Sequence, residues 1–212
     1  MRHPDDSPGE QRPFVVGVTG GIGSGKSALT GILEDSGIVV VDADLVARDV
    51  VAIGSKALHS IESRHGRDIL NEDGSLNRPA LRKIVFADPT ERKWLEDLTH
   101  PLIRSQIHEE LAKARSPYVV LSSPLLLEGD QKTMVDHVVV VDVPEQLQLE
   151  RTMRRDSNDE ALVRSIMKAQ LDRETRLAAA GTVVDNSGSL EDLAAQAEQV
   201  HQRLLQLAGA DG

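Results

Sequence analysis

The run Gly20-Gly21-Ile22-Gly23-Ser24-Gly25-Lys26-Ser27 meets every fixed position of the pattern G-x-x-x-x-G-K-[ST], and it directly follows the apolar run Phe14 to Thr19. Such a stretch demands a buried strand before it and a helix after it. The glycines let the backbone curl so that successive N–H groups point inward at phosphate oxygens. Lys26 then reaches the β- and γ-phosphates, and the Ser27 hydroxyl is placed to ligate magnesium. Ser27 also opens a helix, whose N-terminus favours anions. A glycine-rich turn that happens to precede a lysine is the bland alternative, and the strand-before, helix-after context speaks against it.

The rest of the chain extends this core. Its 212 residues are enough for one large domain, or one core with inserted subdomains. A formal net charge of −10 argues against wrapping nucleic acid or lying on a membrane, since both need a basic face. With no cysteine there is neither a disulfide framework nor thiolate chemistry. No signal-peptide core or membrane-spanning apolar stretch is evident, so a soluble, cytoplasmic protein is expected. Residues 1–13 hold three prolines and mixed charge, and read as a flexible leader without function.

Short apolar runs at Phe14 to Thr19, Ile38 to Val41, Tyr118 to Ser122, His137 to Val143 and Thr182 to Asp185 predict five strands buried on both faces. Helical periodicity fills the intervals. Ala28 to Asp35 stops at Gly37. A long helix from Pro89 to Arg115 has Asp88 as its cap and Glu91 as capping-box partner. A last helix starts at Ser189 with Asp192 three residues on, and carries Leu190, Leu193, Ala194, Ala197, Val200, Leu204 and Leu207 on one stripe. Alternating strands and helices predict an α/β fold with a parallel five-stranded sheet flanked by helices, the phosphate loop lying outside the carboxyl end of its strand.

Two segments interrupt the alternation. Residues 46–116 predict a helical insert around the turn Asp73-Gly74, and residues 145–180 an arginine-rich helical lid. The nucleotide-binding core is then 14–45, 117–144 and 181–208. Two helical flaps on a small phosphate-binding core suit a small-molecule kinase. Asp42 and Asp44 leave the end of the second strand, where a carboxylate can accept the proton of an attacking hydroxyl; helix capping is the alternative for each. Phosphoryl transfer also needs cations around the moving group, and Arg151 and Arg155 are candidates for that role. For any single lid arginine, pairing with Glu150, Asp156, Asp172 or Glu174 on a solvated face is an equal alternative.

Taken together, these motifs resemble the dephospho-coenzyme A kinase family from Val15 to about Leu207. The resemblance rests on the phosphate loop from Thr19, Asp42-Ala43-Asp44 with Arg48, Asp73-Gly74 with Arg78 and Phe86, and His100-Pro101-Leu102-Ile103. It continues through Pro124-Leu125-Leu126 with Glu128, then Arg151, Arg154 and Arg155, Gln170 with Arg173 and Arg176, and Asp185-Asn186-Ser187-Gly188. It implies a P-loop enzyme that transfers the ATP γ-phosphate to the ribose 3′-hydroxyl of dephospho-CoA, with Mg2+ as cofactor. On this resemblance Asp44 is the general base, and Gly21, Ile22, Gly23, Ser24, Gly25, Lys26, Ser27 and Ala28 hold the triphosphate. Asn186 and Gly188 meet the adenine. Asp42, Arg48, Arg78, His100, Pro124 and Glu128 are candidates for the acceptor pocket, and His100 reads equally as a structural histidine. Ala28 stands where a threonine usually follows the loop serine, and Leu127 where an aromatic is frequent. The expected partner is a small-molecule substrate, with no nucleic acid or membrane and a monomeric or weakly self-associating chain. A kinase for another small acceptor, such as a nucleoside monophosphate or a sugar acid, and a non-catalytic nucleotide switch are the competing readings.

Overall fold

The computed structural model describes residues 12–156 and 159–209, so residues 1–11 of the expected leader lie outside the described residues. Arg12 forks onto both carboxylate oxygens of Asp136, which also accepts from the Val15 amide at 2.9 Å.

Five strands form one sheet: β1 (Val15–Gly20), β2 (Val39–Asp42), β3 (Val119–Ser122), β4 (His137–Asp142) and β5 (Thr182–Asp185), in the order β2-β3-β1-β4-β5. β1 runs parallel to β3, with Val18 opposite Ser122, and parallel to β4, with Gly20 opposite Val141; β4 runs parallel to β5. β1, β3 and β4 are buried almost throughout, because β-branched runs covered on both faces suit the interior of a parallel sheet. The two outer strands depart from the expected double burial. Val39 and Val183 are exposed, since a strand at the sheet's edge is covered less completely.

The chain divides into two compact units. One comprises the chain up to Val40 together with the chain from Leu111 onward; the other is Val41–Glu110. In the first, α1 (Lys26–Asp35) and α9 (Leu190–Leu207) lay Leu29, Leu33, Leu193, Ala197, Val200 and Leu204 against Val16, Val18, Val120, Val139, Val141 and Val184. Each large side chain so buried contributes about 1.5–3 kcal/mol. Ser189 and Asp192 form the predicted capping box of α9. The stripe of α9 is narrower than expected: Leu190, Ala194 and Leu207 face solvent, and the register of Leu193, Ala197, Val200 and Leu204 sets the buried face. The same unit holds α6 (Glu145–Asp156), α7 (Glu160–Ala169) and α8 (Arg173–Ala178).

The second unit is helical, with α2 (Ala43–Asp49), α3 (Lys56–His65), α4 (Arg78–Ala87) and most of α5 (Pro89–Lys113). Between α3 and α4 the Asp73-Gly74 turn appears as predicted. Asp73 Oδ1 accepts from the Ser75 amide and hydroxyl, Gly74 has φ 81°, and Leu70 pairs antiparallel with Leu76. Asp88 caps α5 by accepting from the Thr90 amide at 2.7 Å. Glu91 is not its capping-box partner. Its carboxylate instead takes a two-pronged ion pair from Arg64 at 2.6 and 2.8 Å, while that guanidinium lies 4.5 Å from the centre of the Trp94 ring. A planar fork satisfied on two nitrogens and stacked on an aromatic face outcompetes a local backbone contact.

Candidate active site

The phosphate loop is shaped by its surroundings as much as by its own glycines. Gly23 and Gly25 adopt φ of 71° and 88°, in the left-handed region that side chains disfavour. A Cβ on Gly23 would sit 2.6 Å from both Gln148 O and Thr152 Oγ1, and one on Gly25 would collide with Asn186 Nδ2. Gly25 caps α1, so the first amides of that helix point back into the loop. The exposed Ser27 sits in this first turn, with Ala28 beside it half-buried.

Four polar side chains from distant parts of the chain hold the loop. Asn186, at the end of β5 and almost fully buried, donates from Nδ2 to Ser24 O at 2.7 Å, and its own amide bonds Asp142 O. Gln170, directly after α7, accepts from the Ile22 amide at 2.9 Å. Gln148 of α6 is buried, with Oε1 against Gly21 and Nε2 donating to Val143 O. Arg176 of α8 is 7% exposed, with Nη1 beside Gly21 and Nη2 donating to Leu171 O. Lys26 extends to Ser122 Oγ at the end of β3, 2.5 Å away.

The arginine-rich segment is fastened to this framework at two further points. Arg173 forks onto Asp142, at the carboxyl end of β4, with contacts of 2.6 to 3.2 Å. This raises the guanidinium's pKa, chiefly through the side-chain hydrogen bond. Glu128 Oε1 accepts from the Leu171 amide at 3.0 Å. Gln148 and Thr152, four residues apart, share the face of α6 turned to the loop, which places Arg151 on the adjoining face and Arg155 further along the same face, toward the end of the helix. Arg151 is half-buried. Arg155 is exposed and forks onto Asp156, the solvated pairing weighed for it from the sequence.

Within the first unit, then, Gly21 to Ser27 and Asn186 come together around one loop. Gly188 is not aimed there by a side chain; it packs on Asp192, the partner of the Ser189 cap. Pro124 O accepts a long bond from Thr19 Oγ1 at 3.5 Å. Gln148, Thr152, Gln170 and Arg176 were not among the expected site residues. Only the spacing Gln170, Arg173, Arg176 signalled any of them.

In the second unit Asp42 caps α2, its Oδ1 accepting from the Asp44 and Leu45 amides at 2.8 and 3.2 Å. Asp44 occupies the first turn of that helix, exposed, and Arg48 the last turn. His100 is exposed and precedes Pro101 inside α5. Arg78 starts α4, and with Pro79, Arg82, Lys83, Phe86 and Ala87 it lines an open concavity in which Phe86 is 81% exposed. A large exposed aromatic among three cations suits a planar, anionic ligand.

The model of the dephospho-CoA kinase family matches residues 14–192. The dephospho-CoA kinase of Idiomarina loihiensis is 52% identical over 192 residues, covering 91% of this chain and 95% of that protein. Among solved structures, TT1252 from Thermus thermophilus is 32% identical with a TM-score of 0.79, covering 92% of this chain and 99% of that one. The dephospho-CoA kinase from Campylobacter jejuni is 27% identical with a TM-score of 0.68, covering 91% and 97%. Among the described residues no helix is long and apolar enough to cross a membrane.

Proposed function

This chain belongs to the dephospho-CoA kinase family, and from that membership we infer that it transfers the γ-phosphate of ATP to the ribose 3′-hydroxyl of dephospho-CoA. The products are coenzyme A and ADP, in the last step of coenzyme A biosynthesis. The observation that carries this reading is the match over residues 14–192 by a chain whose phosphate loop is built and braced for a triphosphate.

The roles follow from the chemistry each group supplies. The amides of the loop and of the first turn of α1 bind the β- and γ-phosphates without moving, so their dipoles cost little reorganisation as charge shifts during transfer. Lys26 adds a full positive charge at the β/γ boundary. Asp44, on α2, takes the proton of the ribose hydroxyl. Asp42 supports this chiefly as the cap that fixes the start of the helix. Arg176, held beside Gly21, and Arg151 on the adjoining face of α6 neutralise charge on the transferring group, while residues 145–180 act as the lid.

The acceptor reading rests on the helical unit. Arg78, Arg82, Lys83 and Phe86 of α4 offer cations and a stacking face to the pyrophosphate and adenine of dephospho-CoA, with Arg48 and His100 as further polar candidates. Glu128 serves the lid through Leu171.

Magnesium fits this site through few protein ligands. Mg2+ in kinases is held largely by substrate phosphates and water, with one or two protein oxygens. Among the described residues no three His, Asp or Glu side chains cluster to bind a metal, and the exposed Ser27 hydroxyl in the first turn of α1 is the protein ligand to expect. When bound, Mg2+ would offset the negative charge of the triphosphate, with Ser27 as the residue that would hold it.

An ADP-release assay with dephospho-CoA, adenosine monophosphate or no acceptor tests the assignment. ADP should form rapidly only with dephospho-CoA. Equal release with adenosine monophosphate, or without an acceptor, would overturn it.

A further inference from the structure

Ser122 closes a strand that is otherwise wholly apolar, after Val119-Val120-Leu121, and it is itself 0% exposed. A hydroxyl in such a place is unfavourable unless it is hydrogen-bonded. The strand register sets it opposite Val18, two residues before Gly20, where β1 gives way to the phosphate loop. Lys26 Nζ lies 2.5 Å from Ser122 Oγ. An ammonium can only donate, so the serine oxygen is the acceptor. The next residue, Ser123, just past the strand, is also buried and accepts from the Leu125 amide at 3.3 Å. Of the two adjacent buried hydroxyls, one thus meets the lysine and the other the turn that follows.

We propose that Ser122 is a positioning residue for Lys26, holding its ammonium at the β1–β3 seam so that it meets the β- and γ-phosphates of the incoming nucleotide without a rotamer search. One physical effect supports this. A lysine side chain has four torsions to fix, and an anchor on its far end removes much of that freedom before ATP arrives. The inference rests on the kinase reading above, but its binding arm needs no acceptor.

Ser122→Thr and Ser122→Val test it, because the two side chains have nearly the same shape and only threonine keeps the hydroxyl. The affinity for ATP is measured by equilibrium titration without acceptor, KM and kcat with dephospho-CoA, and folding by melting temperature. Ser122→Val should weaken ATP binding and raise KM for ATP by about tenfold, the order expected for one hydrogen bond to a charged group. KM for dephospho-CoA and affinity for adenosine should stay within about twofold, and Ser122→Thr should lie within about threefold of the wild type. Equal ATP affinity in the two variants would overturn the proposal. Ser122→Ala guards against poor accommodation of the added methyl group: it must reproduce the loss seen with valine, and wild-type affinity in alanine would also overturn the proposal. Should the wild-type protein bind ATP but fail to phosphorylate dephospho-CoA, the functional reading falls while the comparison of threonine with valine still decides the role of Ser122.

Discussion

The side-chain amide of Asn186 donates to the main-chain carbonyl of Ser24 across 162 residues, joining the end of the last strand to the middle of the phosphate loop. The bond is buried, and its donor sits where a side chain on Gly25 would have to go. Loop shape and the position of β5 are therefore one structural decision.

Asn186→Ala removes that donor and leaves a buried carbonyl without it, at a cost of about 1–3 kcal/mol. For a chain of this size each kcal/mol lowers the melting temperature by about 2–4 °C. We expect a drop of that order in calorimetry, with a several-fold rise in KM for ATP and little change in KM for dephospho-CoA. An unchanged melting temperature would show that the bond contributes nothing net.

Gly25→Ala should be more harmful than its single methyl group suggests. The residue caps α1 at φ 88°, and the new Cβ would drive into Asn186 Nδ2. Strain of about 1–2 kcal/mol at the cap adds to the loss of the Asn186 bond. ATP titration should show binding weakened by at least tenfold, and Gly31→Ala, with open space around it, provides the control.

Asp44→Asn isolates the chemical step. If Asp44 is the general base, turnover falls by about two to four orders of magnitude while ATP affinity remains within a few-fold, because the amide preserves shape but not basicity. Near-normal kcat in a steady-state assay would remove Asp44 from that role.

His137 makes stability pH-dependent. Its Nε2 lies 2.8 Å from Thr182 Oγ1 between β4 and β5, and its pKa is depressed below the usual 6.5, first by burial and then by the charge of Arg203. A base with a depressed folded-state pKa favours the fold only while neutral. Its contribution is thus complete above 6.5 and is lost as pH falls through the lower folded value. Melting temperatures measured between about pH 7.5 and 5 should fall with acidification, and more steeply than in His137→Gln.

Much of the fold is legible in the sequence because its signals are local. Thr182 to Asp185 is a strand with the predicted bounds, and the Ser189–Asp192 box starts α9 where expected. Exposure of Val39 and Val183 was not legible, since the position of a strand within a sheet follows from pairing and not from its own composition. Glu91 was misassigned for a related reason: Arg64, its partner, lies 27 residues away. The site shows the same division. The loop announces itself through glycine spacing, whereas Gln170, which holds the Ile22 amide from 148 residues away, shows only in its spacing to Arg173 and Arg176, and Gln148 and Thr152 leave no trace. Ser122 lay hidden at the end of an apolar run, where a single hydroxyl changes neither the strand signal nor the hydropathy.

The bond from Ile22 to Gln170 makes one backbone proton a clock for the arginine-rich helices. That proton exchanges with heavy water only when the glutamine withdraws. Its exchange rate, followed by NMR with and without nucleotide, would time the opening of the segment over the phosphates without any label or mutation.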